Sequence, residues 1–172
     1  NLRIENLGVL RWREIEPRGG KLRKGLLRML RRGLLLFFEW PDLELMFKVS
    51  KALKDEEGYD LLVSIAIPFP IHWGVARVTT KSHRIADTWV ADCGDPYMFG
   101  RLDSFRKPFY FKYLERSFCA KCTFISVPFE AMRRQFYSDF REKIVVIPQG
   151  FDFSVIRRVN GPVQNERLTM AF

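Results

Sequence analysis

The chain has 172 residues, 47% of them apolar, which is enough for one domain with a sizeable core and excludes a disordered chain. Its longest strictly apolar run, residues 34–38, is far shorter than the roughly 20 residues that span a bilayer. The net charge is +9, and residues 11–32 alone hold nine basic and two acidic residues. We therefore expect an anionic partner for this basic segment and not for the whole protein.

The first 58 residues differ in pattern from the remainder. Residues 2–10 could form one strand, residues 21–40 read as a helix that ends before Pro41, and residues 42–57 read as a second helix with Asp42 as its N-cap. These elements precede the regular part of the chain.

The helix predicted over residues 21–40 is amphipathic. At 100° per residue, its apolar stripe holds Leu22, Leu26, Met29, Leu30, Gly33, Leu34 and Phe37, and the opposite face holds Lys21, Lys24, Arg28, Arg31 and Arg32. Two interpretations stay open: the stripe packs on a core, as in any surface helix, or the helix lies on an anionic membrane. In the second case the membrane-facing residues are Arg28, Arg31, Arg32, Phe37 and Phe38.

From residue 60 onward, short apolar runs alternate with stretches of helix length. The runs predict strands near residues 60–65, 88–92, 123–127 and 143–147, and the apolar spacing predicts helices over 109–119 and 128–140. Such alternation predicts an α/β fold, a Rossmann-like parallel sheet with helices on both faces. Ligands of such sheets bind beyond the carboxyl ends of the strands.

Polar residues follow these strands. His72 comes after the first and could bind a sugar hydroxyl or a phosphate, or could be a helix-start histidine satisfied by the backbone. Asp92 and Asp95 bracket Gly94 after the second, where they could bind an acceptor or only shape a turn. Gly150 follows the fourth and is a weak signal alone.

The three cysteines, Cys93, Cys119 and Cys122, are an odd number without a secretory signal, which favours a reducing compartment. Cys119 and Cys122 form a single C-x-x-C pair, and zinc needs four ligands. We expect two buried thiols and no metal site.

Residues 59–153 resemble the acceptor-side domain of GT-B-fold family 4 glycosyltransferases. The matching segments are residues 59–63, residues 89–97 with the element Asp92-Cys93-Gly94-Asp95-Pro96-Tyr97, residues 120–128, and residues 143–152 with the element Ile147-Pro148-Gln149-Gly150-Phe151-Asp152. Gln149 stands where the family usually has Asn. The order and spacing of these segments carry the resemblance.

The resemblance implies a hexosyltransferase-like enzyme that moves a sugar from a nucleotide-sugar donor to a hydroxyl acceptor with retention at the anomeric carbon. Residues 1–150 would be the acceptor-side domain, and residues 151–172 the interdomain linker and first strand of a donor-binding domain. The donor-side Glu-x7-Glu pair of the family is absent from this sequence. We expect a fragment that is inactive alone, with no cofactor beyond the donor co-substrate, which the missing domain would mainly bind.

The site residues implied by the resemblance lie in the matching segments and in the loop after the first strand. His72 and Asp95 would be catalytic, and His72, Asp92, Asp95 and Tyr97 would bind the acceptor. Gln149 and Gly150 would face the interdomain cleft. The sequence does not decide which of the two aspartates is functional.

The expected partners are a nucleotide sugar, a glycan or lipid-linked acceptor and an anionic membrane surface, without nucleic acid. Such relatives often assemble cell-surface polysaccharide, which fits a cytoplasmic protein held peripherally at the inner membrane face. The alternative is a basic domain that binds nucleic acid or recruits a protein to membranes without catalysis. It rests on the same basic segment.

Overall fold

A computed structural model of the protein describes residues 4–10, 20–99 and 106–150. In chain order its helices and strands are α1 (Lys21–Phe38), α2 (Leu43–Leu53), β1 (Tyr59–Ala66), α3 (Pro70–Val78), β2 (Ala86–Cys93), α4 (Phe111–Lys121), β3 (Phe124–Val127) and β4 (Ile144–Val146). Two short 3-10 helices, Glu130–Gln135 and Ser138–Lys143, connect β3 to β4.

The four strands form one parallel sheet in the order β1-β2-β3-β4. Leu62 lies opposite Trp89 in the register of β1 and β2, and Ile125 lies opposite Ile144 in that of β3 and β4. All four predicted strands are confirmed, as is the α/β class, because β-branched and aromatic residues dominate these runs.

The described helices cover one face of the sheet, which corrects the prediction of helices on both faces. The strand order never reverses, and right-handed crossovers that all advance in one direction fall on the same side of a sheet. Along β1 burial alternates, so that Ser64 and Ala66 are buried while Val63 and Ile65 are at least half-exposed. The apolar side chains on the second face have no helix over them within the described ranges.

The core lies between the sheet and the helix layer. Trp73 of α3 stacks on Phe111 of α4, with ring centroids 5.6 Å apart, and Phe118 of α4 is fully buried. Helices α2 and α3 approach so closely that a Cβ on Gly74 would lie 2.8 Å from the Met46 carbonyl oxygen. The core therefore depends on a position without a side chain.

The first 58 residues differ in part from prediction. Helices form over Lys21–Phe38 and Leu43–Leu53, and Asp42 occupies the N-cap position, but its side chain makes no capping hydrogen bond. Residues 4–10 form no strand, because this segment contacts α2 instead of the sheet: Lys48 Nζ donates to the Val9 carbonyl oxygen at 2.8 Å.

Residues 128–140 form no α-helix, contrary to the prediction. The backbone becomes extended at Phe136, which separates the two 3-10 helices. This break turns Phe136 into the core together with Met132, so both apolar side chains are buried although the helix is interrupted. Packing has overridden the helical spacing of the sequence.

Several predicted features lie outside the described residues. They are the basic residues at 11–18, the linker at 151–166 and the opening strand at 168–172. No helix in the described part of the chain has the length and apolar content to cross a bilayer.

Candidate functional site

The carboxyl ends of the four parallel strands meet at one edge of the sheet. Asp95 follows β2 and is exposed there, and Gln149 and Gly150 follow β4 and are also exposed. Ligands of parallel sheets bind at this edge. Asp95, Gln149 and Gly150 are therefore the predicted site residues that the fold leaves accessible on this edge.

Asp92, at the last turn of β2, is half-buried and already has a partner. Its Oδ1 accepts a hydrogen bond of 2.6 Å from Ser126 Oγ, the residue beside it in β3. This hydrogen bond links the carboxyl ends of two strands. A charged acceptor for a hydroxyl proton is thus engaged within the protein at Asp92 and open to solvent at Asp95.

His72 lies in the core, with none of its surface exposed. The Trp89 indole donates to Ser64 Oγ at 2.8 Å, which leaves the Ser64 hydroxyl proton for His72 Nδ1, also at 2.8 Å. Nε2 lies 3.6 Å from Cys93 Sγ. Pro70 begins α3 just after β1, and the first turn of this helix directs the imidazole inward.

Burial lowers the pKa of His72 from 6.5 to about 4, against an opposing hydrogen bond and charge from Asp92. The imidazole is therefore neutral at pH 7 and has no exposed atom with which to contact a substrate. It connects β1, β2 and α3 directly beneath the sheet edge that carries Asp95.

Tyr97 is also buried, with its hydroxyl donated to Glu39 Oε1 at 2.7 Å. Lys107 Nζ lies 2.5 Å from the same carboxylate oxygen and 4.2 Å from the centroid of the Tyr97 ring. Burial first, and then the charge of Glu39, raise the pKa of Tyr97 far above its usual range. The predicted acceptor-binding residue thus forms part of a buried contact that fixes the end of α1.

Two buried glutamates shape the site and carry no motif in the sequence. Glu115 of α4 accepts hydrogen bonds through Oε1 from the backbone N–H of Tyr97 at 3.1 Å and of Met98 at 3.3 Å, so it holds the loop that follows Asp95. Burial raises the pKa of this carboxyl. Glu39 holds the same loop from the other side through Tyr97. Only their surroundings distinguish them from the other glutamates of the chain.

A cleft of about 920 Å³ opens beside the edge. It is lined by Phe99, which lies four residues beyond Asp95, and by the two 3-10 helices, including Arg134, Tyr137 and Arg141. The rings of Phe99 and Tyr137 meet edge to face with centroids 5.1 Å apart. Aromatic surface together with guanidinium groups is suited to a sugar ring or to an anionic group on it.

The cysteines take no part in this edge as reactive groups. Cys93, Cys119 and Cys122 are free and buried, which confirms the expected buried thiols. Burial raises the pKa of all three thiols, that of Cys122 to about 11. They are therefore protonated at neutral pH and weakly nucleophilic.

The fold thus separates the predicted site residues into two groups. Asp95, Gln149 and Gly150 are exposed at one edge of the sheet, whereas His72 and Tyr97 lie in the interior below it. Comparison with protein-family models, with curated proteins and with solved structures finds no match for this chain.

Proposed function

We propose that this chain provides the acceptor-side domain of a glycosyltransferase, which moves a sugar from a nucleotide-sugar donor to a hydroxyl of a glycan or lipid-linked acceptor. The observation that supports it is the carboxyl-end edge of the parallel sheet, where Asp95 and the Gln149-Gly150 turn are exposed beside an aromatic cleft. Parallel sheets place ligands at this edge, and the order of the motifs along the chain agrees with that of the family it resembles.

In this proposal Asp95 is the catalytic residue. Its carboxylate accepts the proton of the acceptor hydroxyl, or holds that hydroxyl in line with the anomeric carbon of the donor sugar. Asp92 is the weaker candidate because Ser126 already donates to it. Gly150, without a side chain, lets a second domain approach the edge closely.

The roles of His72 and Tyr97 change from contact to positioning. His72 fixes the end of β1 against β2, and Tyr97 fixes the loop after Asp95 against Glu39. Both residues then affect transfer through the placement of Asp95, since neither has surface for a substrate to contact.

The cleft beside Asp95 is the place we propose for the acceptor. Phe99 and Tyr137 offer ring surface to the apolar face of a sugar, and Arg134 offers a cation to a phosphate or carboxylate substituent. Such an acceptor fits the assembly of a cell-surface polysaccharide. The nucleotide part of the donor would be bound by a separate domain, with retention at the anomeric carbon.

The test uses the complete natural polypeptide and measures release of nucleoside diphosphate from common nucleotide sugars with glycan and lipid-linked acceptors. Asp95→Asn should lower the rate at least about tenfold, which corresponds to roughly 1.4 kcal/mol of barrier. Asp87→Asn is the matched control, because Asp87 is equally exposed but lies near the opposite end of β2. Equal rates for the two variants, or no transfer to any acceptor, would contradict the proposal.

A second measurement concerns the 172-residue chain by itself. Calorimetry with nucleotide sugars should give no tight binding, because the proposal assigns the nucleotide to another domain. A micromolar Kd, about −8 kcal/mol, would refute that assignment.

A further inference from the structure

Helix α1 has no buried residue along its whole length of 18 residues. Its apolar stripe is open to solvent: Leu22 is 92% exposed, Met29 is 74% exposed and Leu26 is 68% exposed. Placing these side chains in water forgoes about 1.5–3 kcal/mol for each one that could be fully buried. The interpretation that this stripe packs on the core of the domain is therefore wrong for these residues.

The charge of α1 is of one sign. The helix holds six basic residues, Lys21, Arg23, Lys24, Arg28, Arg31 and Arg32, and no acidic residue. Five of them lie on the face opposite the apolar stripe, and Arg23 lies at its margin. Because a basic face and an open apolar face share one helix, the partner must offer anionic groups next to an apolar phase.

The structure fixes the end of α1 to the domain. Glu39, directly after the helix, binds Tyr97 and Lys107, and the Tyr110 hydroxyl donates to the Phe37 carbonyl oxygen. The helix therefore has a defined attachment beside the loop that carries Asp95, while its first turns extend away from the core.

Exposed aromatic side chains continue the apolar surface where α1 meets α4. Phe37 and Phe38 are each 55% exposed at the end of α1, and Phe109 and Tyr113 are more than half-exposed at the start of α4. Lys112 lies between the latter two in sequence. Aromatic side chains next to cations are typical of surfaces that bind the boundary between lipid headgroups and acyl chains.

We propose that α1, together with Phe109 and Tyr113, docks the protein on the surface of an anionic lipid bilayer. The apolar stripe enters the boundary of the acyl chains, and the basic residues contact the headgroups. An RNA or DNA backbone would satisfy the cations but would leave Leu22, Leu26 and Met29 in water, so lipid is the partner that uses both faces. This inference stands without the proposed transferase activity.

The experiment is co-sedimentation of the 172-residue chain with vesicles of phosphatidylcholine alone or with 30% phosphatidylglycerol. The wild-type protein should bind the anionic vesicles at low salt, bind neutral ones at least tenfold more weakly, and weaken as salt rises. Absence of binding to anionic vesicles, or equal binding to both compositions, would overturn the proposal without any variant and without bearing on transfer.

Two variants separate the contributions of charge and apolar surface. Lys24→Gln with Arg28→Gln should lower the partition constant about 30-fold, at roughly 1 kcal/mol for each cation near the membrane. The matched control, Lys51→Gln with Lys81→Gln, removes the same charge from exposed sites outside α1 and should change binding less than twofold. Equal losses in the two pairs would refute a specific docking helix.

The apolar variant is Leu22→Gln, Leu26→Gln and Met29→Gln, which keeps good helix formers at exposed positions. It should lose vesicle binding at least tenfold and retain the melting temperature. Unchanged vesicle binding would refute insertion. Tighter binding of the wild-type chain to an oligonucleotide than to vesicles, or a dimer in sedimentation velocity that this variant dissociates, would assign the helix to a different partner and overturn the proposal.

Discussion

Protonation of His72 is the perturbation for which the structure gives the sharpest expectation. The imidazole is fully buried, and burial lowers its pKa to about 4 in the folded state, against 6.5 in the unfolded chain. As pH falls below 6.5 the unfolded state binds a proton that the folded state does not accept until about pH 4. Stability is therefore complete above pH 6.5 and is lost as pH decreases.

The size of this effect follows from the two pKa values. Linkage gives a loss of about 2 kcal/mol at pH 5 and about 3 kcal/mol at pH 4 from this one group. These losses are a large fraction of the stability of a typical domain. Carboxylates also titrate in this range, so the contribution of His72 must be isolated by subtraction.

The assay is urea denaturation at pH 7.5, 6, 5 and 4.5 for the wild-type chain and for His72→Gln, which has no titrating group at this position. The wild-type protein should lose about 2 kcal/mol more than His72→Gln between pH 7.5 and pH 5. The control is His83→Gln, at the other histidine of the chain, which should follow the wild-type curve.

Parallel pH curves for the wild-type protein and His72→Gln would refute this reasoning. A second readout covers the case in which His72→Gln does not fold. In proton NMR of the wild-type chain, the imidazole resonance of His72 should stay constant from pH 7 to pH 5. Titration of that resonance near pH 6.5 would mean that the side chain is solvated.

Three further predictions concern packing, buried carboxylate and thiols. Gly74→Ala places a Cβ against α2 and should lower the free energy of unfolding by about 2 kcal/mol, whereas Gly25→Ala, with open space around it, should not lower it; urea denaturation decides. Glu115→Ala leaves two buried N–H groups without their acceptor and should cost about 2 kcal/mol, while Glu130→Ala on the surface should change stability by less than about 0.5 kcal/mol, and thermal unfolding would contradict this if both shifted alike. The three cysteines should react with a thiol reagent only after denaturation, and rapid labelling of the native protein would show that they are accessible.

Much of the fold could be predicted because its signals are local. Four runs of β-branched and aromatic residues, each closed by Pro, Asp or Gly, located β1 to β4, since no other arrangement satisfies their backbone groups in a buried sheet. The periodicity of residues 21–40 predicted α1 and its two faces in the same way. The C-x-x-C pair was also interpretable alone, because it lacks the further ligands that a metal needs.

The candidate site was only partly predictable, because accessibility is not a local property. His72 and Asp95 both follow a strand, so the sequence treats them alike; the first turn of α3 directs His72 into the core, and the loop after β2 leaves Asp95 exposed. The roles of Glu39 and Glu115 depend on partners 58 and 18 residues away in sequence. No nearby residue indicates those contacts.

The sequence by itself determined where the strands and the amphipathic helix lie, because backbone hydrogen bonding and side-chain periodicity act over a few residues. The tertiary structure decided what those elements face. Strand order placed every described crossover on one side of the sheet, and the contacts of Glu39 set α1 beside the loop of Asp95 without covering its apolar stripe. Burial is settled by segments that are distant in the chain, and for that reason one helix with two possible environments in the sequence has an exposed one in the folded domain.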